Sequence, residues 1–202
     1  MDYRRRAIAK NIYGATKTAA EDLCQLFHRN HGLPCIVLRT SRFFPEKYDG
    51  EEIRQQFPGE NAKANEFLLR RVDIEDAVSA HLCALDRAPK IGFGRYIISV
   101  TTPFEKHDLA GLRADSPQVV RHRVAKFDAL YESLGWRMFL RIDRVYLNRK
   151  ARAELGWRPQ YDFARVLGQI EVGEAIGSEL ARQIGIKGYH SEVFAEGPYP
   201  VE

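Results

Sequence analysis

The chain has 202 residues, of which 45% are hydrophobic and 29% are charged, and its formal net charge is +4. This composition excludes a largely disordered protein, because the apolar fraction is large enough to form a core. No apolar run reaches the roughly 18 residues that a membrane helix needs, and no apolar segment follows the N-terminal arginines. We therefore expect a cytoplasmic protein without a membrane partner.

Most of the net positive charge is concentrated in the first ten residues, which contain Arg4, Arg5, Arg6 and Lys10 but only one acidic residue. Nucleic-acid binding needs cations clustered on one face of a folded domain, so this distribution argues against a nucleic-acid partner. The three cysteines are far apart in the sequence and form no C-x-x-C pair. They predict neither a disulfide framework nor a metal site, and they indicate a reducing compartment.

The first part of the chain predicts a helix followed by a buried strand. Apolar residues recur at mostly three- and four-residue spacing over residues 12–31, and Gly32 predicts the end of that helix. The apolar run at residues 35–38 is typical of a strand buried on both faces, as in a parallel sheet. Residues 42–68 are polar, contain proline and glycine, and predict a long loop.

A second helix–strand pair is predicted further along. Arg71-Val72 indicates a short extended segment, after which Asp73 predicts a helix N-cap with Asp76 as its capping-box partner. That helix is expected to end before Pro89, and residues 96–100 predict the next strand.

The C-terminal third begins with a predicted helix at Thr102-Pro103. It contains a short echo, Leu134-Gly135-Trp136-Arg137 and Leu155-Gly156-Trp157-Arg158, in which each glycine predicts a helix C-cap. Further helix N-caps are predicted at Asp143, Asp162 and Ser178.

The first predicted helix carries a tyrosine and a lysine that could serve chemistry together. Tyr13 and Lys17 are four residues apart, so their side chains share one face of the helix. A cation beside a phenol favours the phenolate, and a tyrosine in that environment can act as a general acid or base. The spacing alone is weak evidence, because Tyr146 and Lys150 show it too.

The surroundings of Tyr13 distinguish it from Tyr146. Tyr13-Gly14-x-x-Lys17 is followed by Ala19-Ala20-Glu21, a Gly-Leu-Pro turn and an Ile-Val-Leu-Arg strand, then by Val72-Asp73-Ile74-Glu75-Asp76 and by Lys150-Ala151-Arg152-Ala153-Glu154-Leu155-Gly156-Trp157-Arg158-Pro159. In this order, from about Asn11 to Phe163, the segments resemble the NAD-dependent epimerase/dehydratase family of the extended short-chain dehydrogenases/reductases.

The resemblance implies an α/β fold, namely the C-terminal part of a Rossmann-type doubly wound sheet plus a small mixed α/β substrate lobe. The implied organisation is a basic leader that does not match the family, a partial Rossmann core with the catalytic helix and a substrate loop, a C-terminal substrate lobe and an irregular tail, at residues 1–10, 11–100, 101–187 and 188–202.

The resemblance also implies roles for particular residues. Tyr13 would be the catalytic acid/base that exchanges a proton with a substrate hydroxyl while hydride passes to or from a nicotinamide, NAD or NADP. Lys17 would assist Tyr13 and hold the nicotinamide ribose, and Phe44 and Pro45 would lie beside the nicotinamide.

Two departures from the family pattern affect the expected function. The fifteen glycines include no G-x-x-G-x-x-G or G-x-G-x-x-G turn for the cofactor phosphates, so a C-terminal portion lacking the nucleotide-binding half is expected. The position at which the family has its first substrate-binding arginine falls near Phe67 in this chain, so the arginines expected to bind substrate are Arg71, with Arg70 close by, and Arg144.

The expected activity is epimerisation, dehydration or oxidation at a hydroxyl of a sugar or sugar-nucleotide-like small molecule. The alternative is an inactive remnant that serves as a protein-interaction module and exposes an apolar patch where the missing strands would pack. A homo-oligomer remains open under both interpretations.

Overall fold

A pair of parallel strands forms the centre of the fold. The computed structural model describes residues 11–43 and 51–184; the predicted leader, Phe44, Pro45 and the predicted tail lie outside the described residues. Within the described ranges the sheet consists of β1 (Cys35–Thr40) and β2 (Phe93–Ile98). The predicted parallel pairing is confirmed, although β2 begins and ends earlier than predicted. The larger doubly wound sheet remains a prediction.

Helices account for most of the remaining structure. They are α1 (Ile12–His31), α2 (Glu51–Gln56), α3 (Gly59–Glu66), α4 (Ile74–Ile91), α5 (Leu109–Ala114), α6 (Ser116–Arg123), α7 (Phe127–Ser133), α8 (Phe163–Glu171) and α9 (Glu179–Ile184), with a 3-10 turn at Lys106–Asp108 and a π-helical turn at Ala151–Leu155. None of the helices within residues 11–43 and 51–184 combines the length and apolar composition that crossing a bilayer requires.

Helix α1 has the bounds that the sequence predicts, because both of its ends are capped locally. The side chain of Asn11 accepts a hydrogen bond from the Gly14 N–H at 2.9 Å. Gly32 ends the helix with φ 65, a left-handed conformation that favours glycine, and its N–H donates to the His28 carbonyl.

Helices cover both faces of the strand pair. Arg39 and Arg95 point to the face that carries α1, where both contact Glu21. Ile36, Leu38, Tyr96 and Ile98 point to the other face and join the core beneath α4, with Val72, Ala77, Ala80, Ala84, Ala151, Leu155 and Trp157. Side chains alternate along a strand, so these two sets point to opposite faces of the sheet. Helices α1 and α4 therefore cover one face each, as expected of an α/β fold.

A second, larger core packs α3 together with α5 to α8. Three predictions fail in this part of the chain. Residues 42–68 contain α2 and α3 rather than only loop, and helical structure after Thr102 begins at Lys106, not at Pro103. Asp143 caps no helix, because the chain from residue 141 to 148 has no regular structure. The predicted N-caps Asp162 and Ser178 are confirmed by their hydrogen bonds to Arg165 N and Ala181 N.

The first turn of α4 accepts hydrogen bonds from segments that follow it by more than eighty residues. Asp73 caps the helix as predicted, since it accepts from Glu75 N, and it also accepts from Ser178 N at 2.9 Å. The predicted capping-box role of Asp76 is wrong. Its buried carboxylate accepts instead from Gln160 N at 2.7 Å and Tyr161 N at 2.9 Å. Two backbone N–H groups distant in sequence thus occupy the carboxylate that a capping box would pair with the N–H of Asp73.

The buried position of Asp76 predicts a pH dependence of stability. Burial, reinforced by the nearby carboxylates of Asp73 and Glu75, raises the pKa of Asp76 to about 6, although two backbone N–H donors oppose the rise. The folded protein therefore holds a proton that an unfolded aspartate releases near pH 4. We expect this group's contribution to the unfolding free energy to fall as the pH rises from about 4 to about 6, by up to about 3 kcal/mol.

Urea unfolding at several pH values checks this expectation. Asp76→Asn removes the titrating group, so the difference in unfolding free energy between the wild type and this variant should change through that pH window. A difference that stays constant with pH would contradict the assignment.

The two Leu-Gly-Trp-Arg copies share backbone geometry but differ in burial. Gly135 and Gly156 both adopt the left-handed conformation, with φ 64 and 72, as predicted for helix C-caps. Trp157 is only 1% exposed and donates from Nε1 to the Asp76 carbonyl and to Ser79 Oγ, whereas Trp136 is half-buried beside Tyr131. The repeated sequence therefore forms the same type of helix C-terminus twice, once with a buried tryptophan and once with a half-buried one.

Candidate functional site

Tyr13 and Lys17 lie beyond the carboxyl end of β1. Helix α1 runs antiparallel to the strand, since Glu21 contacts Arg39 near the strand's end and His28 stacks on Phe93 at the start of β2. Tyr13 precedes Glu21 by eight residues, which is about 12 Å of helix. Tyr13 therefore lies at the edge of the sheet that corresponds to the carboxyl ends of the strands, where open α/β sheets bind ligands.

The tyrosine and the lysine form an exposed pair. The Lys17 ammonium lies 5.3 Å from the centroid of the Tyr13 ring, and Tyr13 is 70% exposed. Both side chains can therefore reach a ligand placed at this edge. The pair has the shared helix face that the sequence predicts, while its catalytic role remains a prediction.

A polar network fixes α1 to the sheet. Glu21 accepts two hydrogen bonds from Arg39, at 2.8 and 2.7 Å, and one from Arg95 at 3.0 Å. The Arg39 hydrogen bond, with help from Arg95, holds the pKa of Glu21 below its usual value. Bidentate arginine–carboxylate pairs have a defined geometry, so this network sets the position of the helix that carries Tyr13.

An extended segment joins the carboxyl ends of the two strands. Val72 N donates to the Arg42 carbonyl just past β1, and the Arg71 carbonyl accepts from Val100 N just past β2. The extended Arg71-Val72 segment predicted from sequence is confirmed. Leu69 and Arg70, which precede it directly, therefore lie at the same edge of the sheet as Tyr13.

A cleft of about 810 Å³ opens at Leu69 and Arg70. We call it the arginine cleft, because three arginines line it among apolar side chains: Arg70, Arg141 and Arg144 with Ile53, Gln56, Phe57, Leu69, Phe139, Leu140, Ile142, Asp143 and Tyr146. Asp143 is the only acidic residue of the lining, so the described wall carries net positive charge. Such a cleft suits an anionic group attached to a less polar body.

The structure separates the arginines that the sequence proposed for substrate binding. Arg144 lines the cleft, and its role in substrate binding remains a prediction. Arg71 does not: it is 3% exposed and its guanidinium lies 2.6 Å from the buried Glu66 carboxylate. Its neighbour Arg70, with 40% of its side chain exposed, lines the cleft instead.

Sequence reasoning missed Arg141 altogether. The only signal was its three-residue spacing from Arg144, which carries little information in a segment without regular structure.

A second cleft of about 560 Å³ adjoins the first. The two share Gln56, Phe57 and Leu140. The lining of the second combines aromatic side chains, among them Phe127, Tyr131 and Trp136, with two arginines and two acidic residues. Burial raises the pKa of Tyr131 far above its usual value, so this phenol stays protonated.

The similarity of this chain to known proteins lies in its structure. No family model and no curated protein matches this chain. Among solved structures, UDP-N-acetylglucosamine 4-epimerase from Bacillus cereus matches 85% of the chain at 18% identity with a TM-score of 0.50. The match is one of fold.

Two further solved structures match less well. RMD from Pseudomonas aeruginosa, complexed with NADPH, matches 83% of the chain and 57% of its own length at 16% identity, with a TM-score of 0.48. A UDP-galactose 4-epimerase matches 78% of the chain and 50% of its own length at 20% identity, with a TM-score of 0.42. The chain also covers only 55% of the Bacillus cereus epimerase, so it spans about half the length of the structures it matches.

Proposed function

We propose that this chain carries the catalytic helix and substrate lobe of an NAD(P)-dependent epimerase or oxidoreductase that acts on a hydroxyl of a sugar-like substrate with an anionic group. The observation that carries the proposal is the placement of the Tyr13–Lys17 pair and the arginine cleft at the same edge of the parallel sheet. The fold shared with UDP-N-acetylglucosamine 4-epimerase supports it.

Tyr13 would move the proton in this reaction. Its exposed oxygen would accept a proton from a substrate hydroxyl as the phenolate during oxidation, and the resulting phenol would return that proton during reduction. A bound nicotinamide would supply the hydride chemistry. The exposed ammonium of Lys17 fits a role in holding the ribose beside that ring, whereas the chain's glycines do not form the turn that usually holds cofactor phosphates.

The arginine cleft would hold the anionic part of the substrate. Arginine binds phosphate and carboxylate groups through two parallel hydrogen bonds, and the apolar lining would contact the remainder of the ligand. Since the second cleft shares a wall with the arginine cleft, a ligand longer than a single sugar has room to extend along both.

A substrate-side titration tests this proposal. We expect inorganic pyrophosphate to bind the protein and Arg144→Met to weaken that binding about tenfold, because one charge-assisted contact is lost. Leu134→Ala, at an exposed position outside the cleft lining, is the matched control and should bind like the wild type. Absence of pyrophosphate binding, or binding that ignores Arg144, would contradict the anionic substrate site.

One observation favours an interaction module as the second candidate. Every residue of α1 is at least partly exposed, and its large apolar side chains face solvent at Ile12, Leu23, Leu26 and Phe27. Exposed apolar helix faces mark contact surfaces. Titration with NADH and NADPH separates the candidates: binding that Lys17→Met weakens supports the enzyme, while a folded chain that self-associates and binds neither nucleotide supports the module.

A further inference from the structure

We propose that Glu66 is a positioning residue that holds Arg70 at the wall of the arginine cleft; this inference rests on the proposed anionic substrate. Glu66 is the last residue of α3 and is only 2% exposed. A carboxylate is rarely buried this completely unless it is paired, so its partners define its role.

Both adjacent arginines contact this one carboxylate. Oε2 lies 2.6 Å from Arg71 Nη1, and Oε1 lies 3.3 Å from Arg70 Nη2. Arg71 is as buried as Glu66, whereas 40% of the Arg70 side chain is exposed. The carboxylate thus joins a guanidinium inside the fold to one that faces the cleft.

The backbone of Glu66 organises the same turn. Its carbonyl accepts the N–H groups of Leu69 at 3.0 Å and of Arg70 and Arg71 at 3.1 Å. Immediately afterwards the chain is fixed at the sheet edge, where Arg71 bridges to Arg42. Backbone and side chain of Glu66 therefore act on one short segment, and Arg70 leaves that segment towards the cleft.

The shared carboxylate limits the conformations of the Arg70 side chain. A free arginine loses rotamer freedom when it binds an anion, and a guanidinium already held at one nitrogen loses less. Glu66 would therefore raise anion affinity without touching the anion.

A mutant cycle with inorganic pyrophosphate as the probe tests this role. Glu66→Gln alone leaves the buried Arg71 cation without this carboxylate and destabilises the fold. The buried pair is therefore removed as a unit, in Glu66→Gln/Arg71→Met, which preserves the Glu66 carbonyl. We expect this double variant to bind pyrophosphate about threefold to tenfold more weakly than the wild type, with Arg70→Met showing a loss of about tenfold.

The combination of variants distinguishes positioning from a general structural effect. If Glu66 acts through Arg70, the triple variant with Arg70→Met binds no more weakly than Arg70→Met alone, although its melting temperature still reflects the lost pair. Arg144→Met should weaken binding by the same factor in the wild type and in the double variant.

Two results would overturn the inference while leaving the proposed function intact. The first is a double variant that binds pyrophosphate like the wild type. The second is a triple variant that binds more weakly than Arg70→Met by the same factor by which the double variant binds more weakly than the wild type. Wild-type binding that is absent, or indifferent to Arg144, would overturn the anionic site and this inference with it.

Discussion

Under the proposed function, Tyr13→Phe is expected to lower kcat by about 10²- to 10⁴-fold, in an assay that uses UDP-N-acetylglucosamine as a trial substrate with NAD present. The substitution removes one hydroxyl and keeps the ring that lies beside Lys17. Because Tyr13 is exposed at the start of α1, the change should leave folding intact. The loss would therefore report proton transfer rather than stability, with KM changing little.

Tyr161→Phe is the matched control for this prediction. It also deletes a phenolic hydroxyl, but that group donates to Glu75 at the first turn of α4 and lies outside both clefts. We expect its kcat to stay within about twofold of the wild type. Equal losses in the two variants would mean that the hydroxyl of Tyr13 has no special role, and wild-type protein inactive on the trial substrate would count against it as the substrate.

Trp157→Ala is expected to lower the free energy of unfolding by about 3–5 kcal/mol. The indole fills the core beneath α4, where it is 1% exposed among Ala80, Ala84 and Tyr96. Its removal leaves a cavity and also removes the donor of the hydrogen bonds to the Asp76 carbonyl and to Ser79. Urea unfolding followed by circular dichroism measures the change.

Trp136→Ala provides the comparison within the same chain. This tryptophan follows an identical Leu-Gly pair but is half-buried, with its ring centroid 5.5 Å from that of Tyr131. We expect a loss of about 1–2 kcal/mol, because less apolar area leaves water when it folds. Similar losses for both tryptophans would contradict the view that burial, rather than the motif, determines their contribution.

Helix α1 was predictable because its signals are local. Asn11 and Gly32 cap it through contacts within four residues, and Tyr13 and Lys17 share a face whenever those residues are helical. The first strand was predictable from its short continuous apolar run, but its expected burial on both faces is not observed, because each of the six residues of β1 is only partly buried. By contrast, α2 and α3 were missed, because proline and glycine at their ends resemble a loop.

The choice between Arg70 and Arg71 could not be made from sequence. Adjacent residues of the same type have the same local propensity, and only the position of the Glu66 carboxylate and of the sheet edge buries one and exposes the other. Asp76 shows the same limit: its spacing from Asp73 predicts a capping box, yet its carboxylate binds backbone N–H groups more than eighty residues away.

The sequence by itself thus determined which residues form α1, that two strands follow helices, and that Tyr13 and Lys17 are neighbours, because these features depend on contacts within a few residues. Only the tertiary structure decided which arginines line the cleft, which tryptophan fills the core and which carboxylate accepts hydrogen bonds from backbone N–H groups distant in sequence. Those outcomes depend on burial and on partners distant in sequence, and desolvation assigns different roles to residues that local patterns cannot tell apart.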